Sequence, residues 1–82
     1  MVTVTRIGGL RVVIYSNDHR PAHVHVIGAG CEAVFKLHCP GGPPELRENY
    51  GFSRQALDGI KRALAVQVAR LCNEWETIHG DP

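Results

Sequence analysis

Residues 16–26 read SNDHRPAHVHV and place three of the chain's five histidines, His19, His23 and His25, within seven positions. An imidazole ordinarily titrates near neutrality, at about pH 6.5, so it both takes and gives a proton there, and its neutral nitrogens are common metal ligands. Two chemistries follow. Cleavage of RNA needs one group to deprotonate the 2′-hydroxyl, another to protonate the leaving oxygen and a cation to hold the phosphate. His23 and His25, assisted by His19 and with Arg11, Arg20 or Lys36 as the cation, are of the right types. In the second chemistry, His23 and His25, at i and i+2 on a strand, both reach one divalent ion, with further ligands from Asp18, His19, Glu32 or His38. A third reading is structural: Asp18 to Pro21 make a turn, and the two strand histidines are solvated positions on the wet face of a half-buried sheet. On spacing alone this last reading carries the most weight.

The elements that must position these residues are marked by periodicity. VTVTRI alternates Val2 and Val4 against Thr3 and Thr5, and Gly8-Gly9 then signal a hairpin. LRVVIYS puts Leu10, Val12 and Ile14 on one face and Arg11, Val13 and Tyr15 on the other. NDHRPA is a turn, since Asn17 and Asp18 bond their own backbone and Pro21 fixes a torsion. HVHVIG is a third strand, and Gly28 and Gly30 around Ala29 supply the next turn into CEAVFKLH. Alternation puts Val24 and Val26 toward the core and His23 and His25 together on the other face. There Arg11, Tyr15, Glu32 and Lys36 are expected as neighbours, Tyr15 equally as a packing residue.

CPGGPP (39–44) is an irregular loop, and ELRENYG holds at most a brief extended piece. Arg47, Glu48 and Asn49 read as a polar contact site or as a solvated segment, the second being favoured. From Ser53, a plausible N-cap, the period changes: Leu57, Ile60, Leu64, Val68, Leu71, Trp75 and Ile78 form one helical stripe. The helix is expected over 54–78, interrupted by nothing worse than Gly59 and ended by Gly80 and Pro82. The expected fold is thus α+β, a single two-layer domain over residues 1–82 with a four-stranded antiparallel meander packed on one long C-terminal helix.

Composition is that of a soluble globular protein, with 44% apolar and 21% charged residues. No apolar run approaches the roughly 18 residues of a membrane span, and MVTVTRIGG lacks the layout of a signal peptide. Cys31, Cys39 and Cys72 are odd in number and match no paired spacing, so all three are expected to be reduced. A cytoplasmic protein without membrane association follows. Net charge is +1, and its spread over residues 1–47 (+2) and 48–82 (−1) excludes a basic arm that binds nucleic acid by bulk charge.

RIGGLRVVIYSNDHRPAHVHV, the E-A-x-F strand at Glu32 to Phe35, and ELRENYGFS before an amphipathic helix resemble the bacterial domain-of-unknown-function family 4160. The resemblance runs from Arg6 to Trp75. Its most specific parts are P-x-H-x-H-V at Pro21, His23, His25 and Val26, and N-x-G-F-S at Asn49, Gly51, Phe52 and Ser53. Asn17 and His19 also match the family's motif. The chain departs at HCPGGPP, where relatives carry a shorter acidic-proline turn, which argues against Cys39 as a metal ligand. Members are small stand-alone proteins often encoded beside a protein of family 2442, a pairing that looks like a toxin–antitoxin arrangement. The resemblance therefore implies a toxin-like protein directed at RNA, with a small antitoxin-like partner. It assigns no catalytic residues and no obligatory cofactor. The opposing readings are a non-catalytic module that binds a protein or operator DNA, and a divalent-metal-binding protein. Homodimerisation through an open sheet edge is a further expectation.

Overall fold

The computed structural model describes residues 2–81. Strands β1 (Val2–Ile7), β2 (Leu10–Ile14), β3 (His23–Gly28), β4 (Cys31–Lys36) and β5 (Glu45–Tyr50) precede helices α1 (Arg54–Ala65) and α2 (Val68–His79). The strands form one antiparallel sheet in chain order, β1-β2-β3-β4-β5. The alternating segments 2–7, 10–14, 23–28 and 31–36 are strands as their period requires. Ala29 (φ 52°) and Gly30 (φ 74°) make the two-residue β3–β4 turn, whose two left-handed positions match the twist of the strands they join.

Two features differ from the sequence expectation. The sheet has five strands rather than four, because ELRENY pairs with β4 from Glu32↔Tyr50 to Lys36↔Glu45. All six residues of β5 are exposed, so no buried face imposes alternation on them. The strand is held by main-chain pairing, and its charges suit a sheet edge. Asn49 then folds the exit. Its Oδ1 accepts from the Phe52 N–H (3.1 Å), its Nδ2 donates to the Phe52 carbonyl (2.9 Å), and Ser53 Oγ caps α1 through the Ala56 N–H (3.1 Å).

The helix is also two helices rather than one. A straight helix over 54–78 would be about 37 Å long, longer than the 32 Å greatest extent of the molecule. The chain bends at Val66, which is 87% exposed, and the Gln67 N–H donates to the Leu64 carbonyl (3.1 Å), a tighter step than an α-helical one. The apolar stripe survives the bend. Ile60, Leu64, Val68, Leu71 and Trp75 meet Val12, Ile14, Val24, Val26 and Phe35 in one core, with Leu57 and Ile78 packed at its margin. Gly80 follows α2 as its C-cap, whereas Pro82 lies outside the described residues.

Gly59 sits inside α1 with nothing within 4 Å of where a Cβ would stand. Gly59→Ala is expected to stabilise the protein by about 1 kcal/mol, raising its melting temperature by roughly 4–8 °C. A lower melting temperature would show that this face of α1 is covered.

The cysteines are not all reduced. Cys39 and Cys72 form a disulfide across 33 positions of sequence, tying the proline-rich loop to α2, while Cys31 is free. Such a separation leaves no local spacing to read, and only the return of α2 beneath the loop brings the sulfurs together. A reducing compartment is therefore no longer indicated by the cysteines. Among the described residues no helix is long and apolar enough to cross a membrane.

Candidate functional site

The β2–β3 connection folds back on itself. The Asp18 N–H donates to the Tyr15 carbonyl (3.0 Å), and Asp18 Oδ2 accepts from the Tyr15 N–H (2.9 Å). A short carboxylate does this readily at a turn. The second oxygen, Oδ1, is thereby aimed at β3, where it lies 3.4 Å from Nε2 of His23 and 3.4 Å from Nε2 of His25.

The two imidazoles share a side of β3, as alternation requires, with ring centroids 5.3 Å apart. They are not solvated. His25 lies in register between Val13 and Val34, both buried on the face away from the helices, and the Tyr15 ring meets it edge-on at 4.7 Å. His23 is only 6% exposed. It stands at the first position of its strand, where α2 reaches the end of the sheet, and Trp75 packs on it at 5.1 Å. The reading of these histidines as wet-face residues is corrected accordingly: a half-buried sheet need not expose its outer face where a loop and a helix end close over it.

Each ring is also held from behind. The Nδ1 of His23 lies 2.9 Å from the Pro21 carbonyl, and the Nδ1 of His25 lies 3.0 Å from Glu32 Oε2. Asp18, His23 and His25 each offer one ligand atom, all within 4.8 Å of one another.

In front of this centre is a cleft of about 230 Å³, lined by Asn17, Asp18, His19, Arg20, His23 and Arg47. Of the residues expected to assist, His19 and Arg20 are there. Arg20 reaches Asp81 at 3.7 Å, both side chains well exposed. Tyr15 contributes its ring to His25 and its backbone to the turn, and its carbonyl lies 3.1 Å from Nε2 of His79. Lys36 pairs in register with His23 but does not line the cleft, and Arg11 pairs with Ile27 toward the other end of β3. His38 is removed from the centre. It hydrogen-bonds Glu45 at 2.7 Å, which holds that carboxyl below the ordinary carboxylate range. Neither His19 nor His38 joins the ligand set, and Glu32 stands behind His25 rather than beside Asp18.

Sequence reasoning missed Trp75 as part of the site and preferred a solvated reading of Arg47 to a polar contact. Arg47 comes from the edge strand that alternation does not reveal, and Trp75 belongs to the core stripe. The arrangement provides a carboxylate and two oriented imidazoles, open on one side to a cleft bearing two guanidinium groups.

No curated protein and no solved structure matches the chain. The family model described as Domain of unknown function (DUF4160) matches residues 9–76, from the start of β2 into the last turns of α2. Asp18, His23, His25, Glu32, Arg47 and Trp75 all lie within that match, and the chain belongs to the DUF4160 family.

Proposed function

We propose that the protein is the toxin-like member of a two-protein module and acts on RNA in the cleft before Asp18, His23 and His25. The observation that supports this reading is the junction of a buried acid–imidazole centre with a cleft whose other walls include His19, Arg20 and Arg47. Guanidinium groups match phosphate oxygens in charge and shape. With a phosphodiester held by Arg20 and Arg47, the centre receives the proton of the 2′-hydroxyl as the 2′-oxygen bonds to phosphorus. His19 gives a proton to the 5′-oxygen as its bond to phosphorus breaks. The products are a 2′,3′-cyclic phosphate and a 5′-hydroxyl, with one proton taken up and one released. The small net charge agrees with few phosphate contacts. Two contacts on a single strand give a slope of log affinity against log salt of only about −1.4. The proposed partner is a small antitoxin-like protein, and the proposed compartment is the cytoplasm.

Induced expression in a bacterial host, followed by growth and total-RNA integrity, tests this reading. Arrest with RNA fragmentation is expected for the natural chain, and His19→Ala should slow cleavage by about 10²–10⁴-fold while leaving the fold unchanged. Normal growth and intact RNA with demonstrably folded protein would remove the RNA reading.

A further inference from the structure

We propose that Asp18 Oδ1, His23 Nε2 and His25 Nε2 bind one divalent first-row transition-metal ion. The inference concerns the same centre but does not depend on RNA as the substrate.

It starts from the hydrogen bonds behind the rings. A carbonyl oxygen only accepts, so Nδ1 of His23 carries the hydrogen that meets Pro21. An ionised carboxylate also only accepts, so Nδ1 of His25 carries the hydrogen that meets Glu32. In the neutral rings both Nε2 atoms are then bare lone pairs, and both face the same carboxylate oxygen at 3.4 Å. Three electron-rich atoms thus converge on one point. Two extra protons would relieve the repulsion, but charge-assisted N–H···O bonds close to about 2.7–2.9 Å. The two Asp18–histidine separations of 3.4 Å instead match ligands about 2.1 Å from a shared tetrahedral ion, and the two Nε2 atoms, within 4.8 Å of each other, would draw together on the ion.

The surroundings fit the same assignment. Metal-bound histidines characteristically donate their other nitrogen to a carbonyl or carboxylate, which sets the tautomer and the ring plane; both rings do so here. Trp75 on His23 and Tyr15 on His25 restrict the rings further. Two imidazoles and one carboxylate suit Zn²⁺, Fe²⁺, Mn²⁺ or Ni²⁺, whereas Mg²⁺ and Ca²⁺ require oxygen ligands. Three protein ligands leave a position for water, and the cleft meets the centre at Asp18 and His23. An ion held by Asp18, His23 and His25 would supply Lewis-acid chemistry on the side that faces the cleft.

The test uses tag-free protein stripped with a chelator and titrated calorimetrically with Zn²⁺, Mn²⁺, Ni²⁺ and Mg²⁺, with retained metal measured by mass spectrometry. One equivalent of a transition metal is expected, with little Mg²⁺ binding and a higher melting temperature in excess metal. Glu32→Gln, which leaves the three ligands in place, should weaken binding about 10–100-fold. Asp18→Asn should weaken it by more than that upper value, and His38→Ala should leave it unchanged. Circular dichroism establishes that each variant is folded. Failure of the folded natural protein to retain one equivalent, or natural affinity in folded Asp18→Asn, would overturn the assignment. Stoichiometric metal on a protein that leaves RNA intact upholds the centre and removes the RNA reading; RNA cleavage by folded, metal-incompetent protein does the reverse.

Discussion

Replacing Trp75 with alanine is expected to destabilise the protein by about 3–5 kcal/mol, the range for truncating a large buried aromatic. The indole is fully buried and lies in the core with Leu71, Leu64 and Ile14. Its Nε1–H donates to the Asp81 carbonyl at 2.9 Å, and its ring stacks on His79 at 4.1 Å. A domain of this length has only about 4–12 kcal/mol of stability in total, so Trp75→Ala takes much of the reserve. Trp75→Phe is the companion variant, because it keeps an aromatic wall against His23 while removing the Asp81 bond and part of the volume. Urea denaturation followed by circular dichroism measures both. The expected order is natural protein, then Phe, then Ala, with the His23 ring resonance broadened in Trp75→Ala. A loss below about 1 kcal/mol in the alanine variant would mean that α2 does not close the end of the sheet, and His23 would then lose its buried setting.

Opening the Cys39–Cys72 bond is expected to lower stability by roughly 3–4 kcal/mol in the chain-entropy description, because it closes a loop of 33 positions. Cys39→Ser removes the cross-link and leaves the buried Cys72 in the core. Urea curves with and without reductant should differ for the natural protein and coincide for Cys39→Ser. Coincident curves for the natural protein as well would show two thiols rather than a bond. The site should respond to reduction only indirectly. Neither sulfur lines the cleft, but Cys72 lies one turn before Trp75 on α2, and Trp75 walls His23. Disulfides are uncommon in a reducing cytoplasm, so this measurement also bears on where the protein works.

The site divides between what one segment encodes and what distant segments must meet to build. Within SNDHRPAHVHV, alternation alone puts His23 and His25 on one side of a strand, and the turn chemistry of Asp18 returns its carboxylate toward them. The N-x-G-F-S stretch is a chain exit held by Asn49 and a helix cap, not chemistry of its own. What lies around the histidines was readable only in part. Alternation put Glu32 on their face, but its contact with His25 depends on how β3 and β4 pair, while Arg47 enters the cleft from the sheet edge and Trp75 arrives from the second helix.

Local periodicity determined four strands, their turns, the apolar faces and the helical stripe, because each follows from how successive side chains point along one element. Only the tertiary structure decided the fifth strand, the bend at Val66, the disulfide and the burial of His23. Edge pairing is made by backbone groups common to every residue, so side-chain pattern does not announce it. The bend depends on how far the sheet extends beneath the helix, and the disulfide and the Trp75 contact depend on where a remote helix lands. Those are distances between segments, and no spacing along the chain contains them.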